Sequence, residues 1–277
     1  MNANANSTTP LRIMVFGAHP DDCDIRAGGT AALYAQRGHQ VRFVSLTNGN
    51  AGHYDQGGAP LAWRRRAEAA AVAKRLSIDY IVLDHNDGQL VPSLEIRAQV
   101  VALIRQFAPD LVMAPRLYDY HPDHRATAQL VTDAMYMLTV PNYVSAVRHL
   151  DRMPVAVSVW DSFQRPVPFS ADVVVDISST LEAKVDALDC HVSQVYEWLP
   201  YNRGELDSVP VNPAERRAWL YQYYAARARQ QAAMYRAELV ARYGEQRAEG
   251  VTAVEAFEGS EYGSPLTVAE IERLFPF

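Results

Sequence analysis

RIMVFGAHPDDCDIRAGGT, residues 12–30, runs from an apolar stretch directly into a cluster of charge. The run 12–18 lacks the polar alternation of a strand that faces water on one side, so it predicts a strand covered on both faces. Similar runs follow at 41–47 (VRFVSLT), 80–84 (YIVLD) and 110–115 (DLVMAP), with helical patterns near 28–38, 62–76, 93–107 and 123–138. This βαβα rhythm predicts a parallel sheet with helices on both faces. Ligand sites in such sheets lie beyond the carboxyl ends of the strands. Polar clusters stand there in all four cases: His19 to Asp24, Asn48 to His53, Asp84 to Asp87 and Tyr118 to His124. Four clusters at one edge of a sheet predict one shared pocket.

After residue 140 the rhythm loosens, with strand-like runs at 154–160 and 172–178, a helix near 180–195 and helical composition over 213–243. We expect residues 1–10 to be a disordered lead-in and 11–277 a single domain, with a core over 11–195 and a C-terminal helical elaboration over 196–277. The stretch 200–213 is expected to be a loop over the pocket edge.

Composition excludes several classes. A net charge of −6 over 277 residues argues against nucleic acid as a partner. Cys23 and Cys190 lack CxxC spacing, so neither a disulfide framework nor a thiolate zinc site is expected. No apolar run is long enough to span a membrane, and the first residues lack the regions of a signal peptide, so no membrane partner and a cytoplasmic location are expected.

One histidine and three carboxylates within residues 19–24 are hard to explain structurally so close to a buried strand. Zinc takes imidazole nitrogen and carboxylate oxygen, and a catalytic site uses three protein ligands plus an open position. His19 and Asp22 can supply two. YHPDHRAT (120–127) offers His121 and His124, with His124 on the first turn of a helix. The plain alternative is that Asp22 and Asp123 cap helices beside polar loop histidines. Gly28, Gly29 and Thr30 invite a phosphate-loop reading, but no GxGxxG is present and Asp21, Asp22 and Asp24 would repel an anion. The glycines are better read as allowing close packing of helix on sheet. Cys23 is expected to be buried against that sheet.

Taken together, the motifs resemble the LmbE-like, or PIG-L, family of zinc-dependent N-acetylglucosaminyl deacetylases. The similarity rests on AHPDDxE followed by GGT and on HPDH, with further matches at Arg65 and Glu68, Asp87 to Leu90, Asp176 to Ser178 and His191 to Gln194. It covers roughly residues 11–195, with a weaker echo at Glu255 to Phe257. The resemblance implies an α/β fold, a Rossmann-like and mostly parallel sheet flanked by helices on both faces, with a C-terminal elaboration. It implies one Zn2+ per chain on His19, Asp22 and His124, with water in the fourth place. Such donors also accept other divalent metals.

Asp21 would be the general base. His121, as an imidazolium oriented by Asp123, would stabilise the oxyanion or protonate the departing amine. Arg65 and Asp87 would contact substrate. Trp198 and Tyr201 are expected to line the pocket, whereas Trp219, Tyr223 and Tyr224 are expected to pack helices. The implied partner is a small-molecule amino sugar conjugate, and the resemblance extends to a homo-oligomer. Asp24 and Arg26 depart from the pattern, standing where glutamate and glycine are common. Alternatives are a metal-dependent hydrolase of another amide or ester, and a sugar- or nucleotide-binding protein without turnover.

Overall fold

The computed structural model describes residues 9–277, so the expected lead-in falls outside the described residues save for Thr9 and Pro10. The chain runs β1 (Arg12–Gly17), α1 (Asp22–Gln36), β2 (Gln40–Thr47), α2 (Gly58–Leu76), β3 (Asp79–His85), α3 (Leu94–Phe107), β4 (Leu111–Ala114) and α4 (Pro122–Met137). There follow β5 (Val155–Val159), β6 (Val173–Asp176), α5 (Leu181–Asp189), α6 (Leu199–Asn202), α7 (Pro213–Met234), α8 (Arg236–Tyr243), α9 (Glu245–Glu249), β7 (Val254–Gly259) and α10 (Val268–Leu274). The seven strands form one sheet in the order β3-β2-β1-β4-β5-β7-β6. β1 to β5 are parallel, and β7 pairs antiparallel with both β5 and β6. The sheet is therefore mostly parallel and the class is α/β.

Both faces of the central strands are buried, as their unbroken apolar runs require. Ile13, Val15, Phe43 and Met113 pack with α1, α5 and α7, while Met14, Phe16, Leu46 and Val112 pack with α3 and α4. The expected region 213–243 is two helices, α7 and α8, and 200–213 holds the short α6 as well as loop. No described helix is long and apolar enough to cross a membrane.

Two features fix α1, whose first turn carries the charge cluster. A Cβ on Gly29 would stand 2.6 Å from Ile177 Cδ1, so only glycine permits this approach. Glu255 of β7 accepts the Gly29 and Thr30 N–H groups at 3.0 and 2.7 Å. Lys184 of α5 places its ammonium 2.7 Å from that carboxylate and 2.8 Å from the Ile25 carbonyl. β7 was not foreseen as a strand, since two glutamates interrupt its short apolar run. Glu255 is nonetheless buried, because Lys184 and two N–H groups satisfy it.

Candidate active site

β1 and β4 lie side by side, yet the chain leaves β1 toward β2 on one flank and leaves β4 toward β5 on the other. This is the switch point at which open α/β sheets form their crevice. The β1–α1 turn supplies His19, Asp21 and Asp22, and the β4–α4 turn supplies Asp119, His121, Asp123 and His124. The first turn is shaped by Asp22 Oδ2, which accepts the Ala18 and His19 N–H groups at 2.9 and 2.8 Å. Gly17 is needed there because a Cβ would fall 2.6 Å from that of Asp22. The second turn is capped by His121, whose Nδ1 accepts the Asp123 N–H at 3.2 Å.

Each buried imidazole is held by carboxylates on one nitrogen and faces Asp22 with the other. His19 Nε2 lies 3.1 Å from Asp87 Oδ1 and 3.3 Å from Asp123 Oδ2, leaving Nδ1 3.5 Å from Asp22 Oδ2. His124 Nδ1 lies 3.0 Å from Asp119 Oδ1, leaving Nε2 3.3 Å from Asp22 Oδ2. A tetrahedral site with bonds of about 2.0–2.2 Å has edges of roughly 3.3–3.6 Å. The two distances to Asp22 match such edges, and carboxylates behind metal-binding imidazoles are the usual supporting arrangement. Among the described residues, two sets have donors all within 4.8 Å of one another: His19, His121 and His124, and His19, Asp87 and Asp123. Asp22 belongs to neither: it lies near each imidazole, but the expected set His19, Asp22 and His124 lacks that mutual closure.

Charge follows this arrangement. Burial pulls both imidazoles down, but the carboxylates outweigh it. His19 is raised well above the usual histidine value and His124 to about 9. Asp22 is pushed up by burial and pulled down further by His124 and His19, ending well below the carboxylate range. A cation placed among these groups would displace protons from both rings.

Four expected roles need correction. Arg65 does not face substrate: it is 2% exposed, with Nη2 2.9 Å from Asp21 Oδ1 and 3.2 Å from the Pro20 carbonyl. Asp21 is buried too, and its pKa is raised, first by burial and then by Asp22, with Arg65 opposing. Asp87 is turned inward onto His19 and lies 3.9 Å from Arg65. The Asp123 carboxylate does not orient His121; it holds His19 and accepts the Gly88 and Leu90 N–H groups at 2.6 and 3.2 Å. His121 is not set up as an imidazolium, because burial and the charges on His19 and His124 lower its pKa. Its capping bond uses Nδ1 as an acceptor, so the ring is neutral with its proton on Nε2.

Asp119 was missed, although a carboxylate two residues before HPDH was available as a signal. Trp198 and Tyr201 stack on each other at 6.0 Å, and Tyr54, also missed, stacks on Tyr201 at 4.4 Å. Tyr54 and Tyr201 are 44% and 50% exposed. His53, beneath Tyr54, is pinned by Glu197 at 2.9 Å, and Arg64 holds Glu197 through two bonds of 2.7 Å. Asp24 lies below the site, buried against His191 and Tyr80 at 3.0 and 3.1 Å. Cys23 is buried against the sheet, beside the Val15 carbonyl.

The PIG-L family, described as GlcNAc-PI de-N-acetylase, matches residues 14–135, a span that holds both turns. A diacetylchitobiose deacetylase of Thermococcus kodakarensis is 32% identical over 205 residues, covering 69% of this chain and 75% of that protein. A 4-oxalmesaconate hydratase of Pseudomonas putida is 26% identical, covering 73% and 81%. The crystal structure of the 4-carboxy-2-hydroxymuconate hydratase GalB from Pseudomonas putida superposes with a TM-score of 0.71 at 20% identity, covering 90% of this chain and 95% of that one. The chain belongs to the PIG-L, or LmbE-like, family.

Proposed function

We propose that this chain hydrolyses the acetamide of an N-acetylglucosamine-type conjugate, releasing acetate and the free amine, with a divalent metal, zinc first, on His19, Asp22 and His124. The observation that carries this reading is the pair of imidazole nitrogens left facing Asp22 once Asp87, Asp123 and Asp119 have engaged the others. The deacetylase relative supports the substrate class. His121 is set aside as a ligand because its only lone pair is spent on the α4 N–H.

Bound there, such a cation would acidify a water and polarise the amide carbonyl. Asp21, which adjoins Asp22, would take the water's proton. Arg65 fixes its Oδ1 and favours its ionised form. His121 offers a neutral Nε2–H to the developing oxyanion. The test is acetate release from N-acetylglucosamine conjugates by protein stripped of metal and then given one equivalent of zinc. Activity that returns with zinc is expected; zinc binding with no acetate release would sink the reading.

Arg65 carries a prediction of its own. It lowers the Asp21 pKa, so Arg65→Gln removes that pull and Asp21 loses its proton at higher pH. The acid limb of the kcat/KM profile should move upward, and an unmoved limb would separate Asp21 from the titrating base.

The hydratase relative supports a second reading, addition of water across the double bond of an unsaturated tricarboxylate. Loss of the ultraviolet absorbance of 4-oxalmesaconate, with acetyl sugars inert, would favour it.

A further inference from the structure

Beside Asp22 and His124 opens a narrow cleft whose lining includes Arg26, Arg116 and Trp160. Neither arginine takes part in the chemistry above, and their surroundings differ. Arg116 is answered on every side. It grips Asp161 at 2.7 and 2.6 Å, donates to the Val167 and Phe163 carbonyls, and lies 3.6 Å from Glu258.

Arg26 is one helical turn beyond Asp22 on α1, so both side chains reach the same cleft. It makes a single hydrogen bond, from Nη1 to the Trp160 carbonyl at 2.9 Å, and lies 5.9 Å from the indole centroid. A guanidinium carries five N–H donors. Among the described residues no carboxylate lies within ion-pair distance of it. The carboxylates of the cleft are occupied: Asp161 by Arg116, Asp22 by two imidazoles, and Asp119 by His124 and the His121 N–H at 2.9 Å. Asp119 feels the charge of Arg26 only at longer range.

We infer that Arg26 anchors a carboxylate carried by the substrate, so that the cleft selects acidic conjugates over neutral ones. This rests on reading Asp22 and His124 as part of the reaction centre. A planar fork of donors with one position fixed on Trp160 suits bidentate capture of a carboxylate, and its half-buried setting strengthens the attraction. The carboxylate can belong to the aglycone of an acetylated amino sugar or to a small unsaturated polycarboxylate. Both present the same group.

The test uses zinc-loaded protein and two probes that differ by one charge, the carboxymethyl glycoside of N-acetylglucosamine and its methyl ester. Calorimetric titration should show the acid binding about ten- to a hundredfold more tightly to the wild type. Arg26→Gln should bring the two affinities together, and Arg26→Lys should restore part of the gap. Equal binding of acid and ester by the wild type, or a preference that survives Arg26→Gln, overturns the inference. Acetate release is followed separately. A binding preference that depends on Arg26 without acetate release supports the anchor and removes the deacetylase reading, and competition by 4-oxalmesaconate, likewise lost in Arg26→Gln, assigns the carboxylate to an unsaturated polycarboxylate.

Discussion

Asp21→Asn should lower kcat by about 10²–10⁴-fold while zinc stays at one per chain. The substitution keeps the shape of the side chain and leaves an oxygen for Arg65, but removes the group that can take a proton. Asp21 makes no ion pair with either imidazole facing Asp22, so metal content should survive. His124→Ala should lose both metal and turnover. Steady-state kinetics with metal analysis on the same preparations checks the pair, and near-normal kcat in Asp21→Asn with stoichiometric zinc would assign the base elsewhere. A fall in melting temperature should accompany the Asp21 change, since it leaves Arg65 buried beside a neutral partner.

Glu255→Ala is expected to have the largest effect on stability. It strips a buried ammonium of its partner and removes the acceptor of two N–H groups of α1. Breaking a buried pair from one side costs about 3–5 kcal/mol, and for a chain of this size that lowers the melting temperature by roughly 6–20 °C. Removing both partners, as in Lys184→Met with Glu255→Leu, should recover much of the loss. Thermal unfolding of the three proteins decides this. A double variant no better than Glu255→Ala would mean that the hydrogen bonds to Gly29 and Thr30, and not the stranded charge, set the cost.

The central fold was legible because its strands are covered on both faces. Runs such as RIMVFGA and DLVMAP have one explanation in an α/β chain, and helices between them follow from their periodicity. The edge of the sheet was harder to read, because Glu255 breaks the apolar run of β7 and only tertiary contact with Lys184 explains why it is inside. α1 begins at Asp22, earlier than expected, since residues dense in charge read as loop until Asp22 is seen to fold back on the Ala18 and His19 N–H groups. Within the site, residue types and their gathering at two strand ends could be read from HPDD and HPDH. Orientation could not. Whether Asp123 serves His121 or His19, and whether Arg65 looks outward or down onto Asp21, depends on side-chain directions set by neighbours far away in sequence. Three consecutive arginines at 64–66 gave no sign that the middle one is buried.

The position of β7 has a consequence for how the molecule is made. Among the described residues β6 pairs with no strand but β7, and β7 also closes the open side of β5. On the ribosome β6 emerges well before its neighbour, so two unsatisfied rows of backbone groups wait until residues 254–259 arrive. A nascent chain halted before Val254 would carry both turns of the candidate site but expose two strand edges, an invitation to sticky misassembly. The stretch that bears the candidate site is thus no freestanding unit: its scaffold is completed only by the last of the seven described strands.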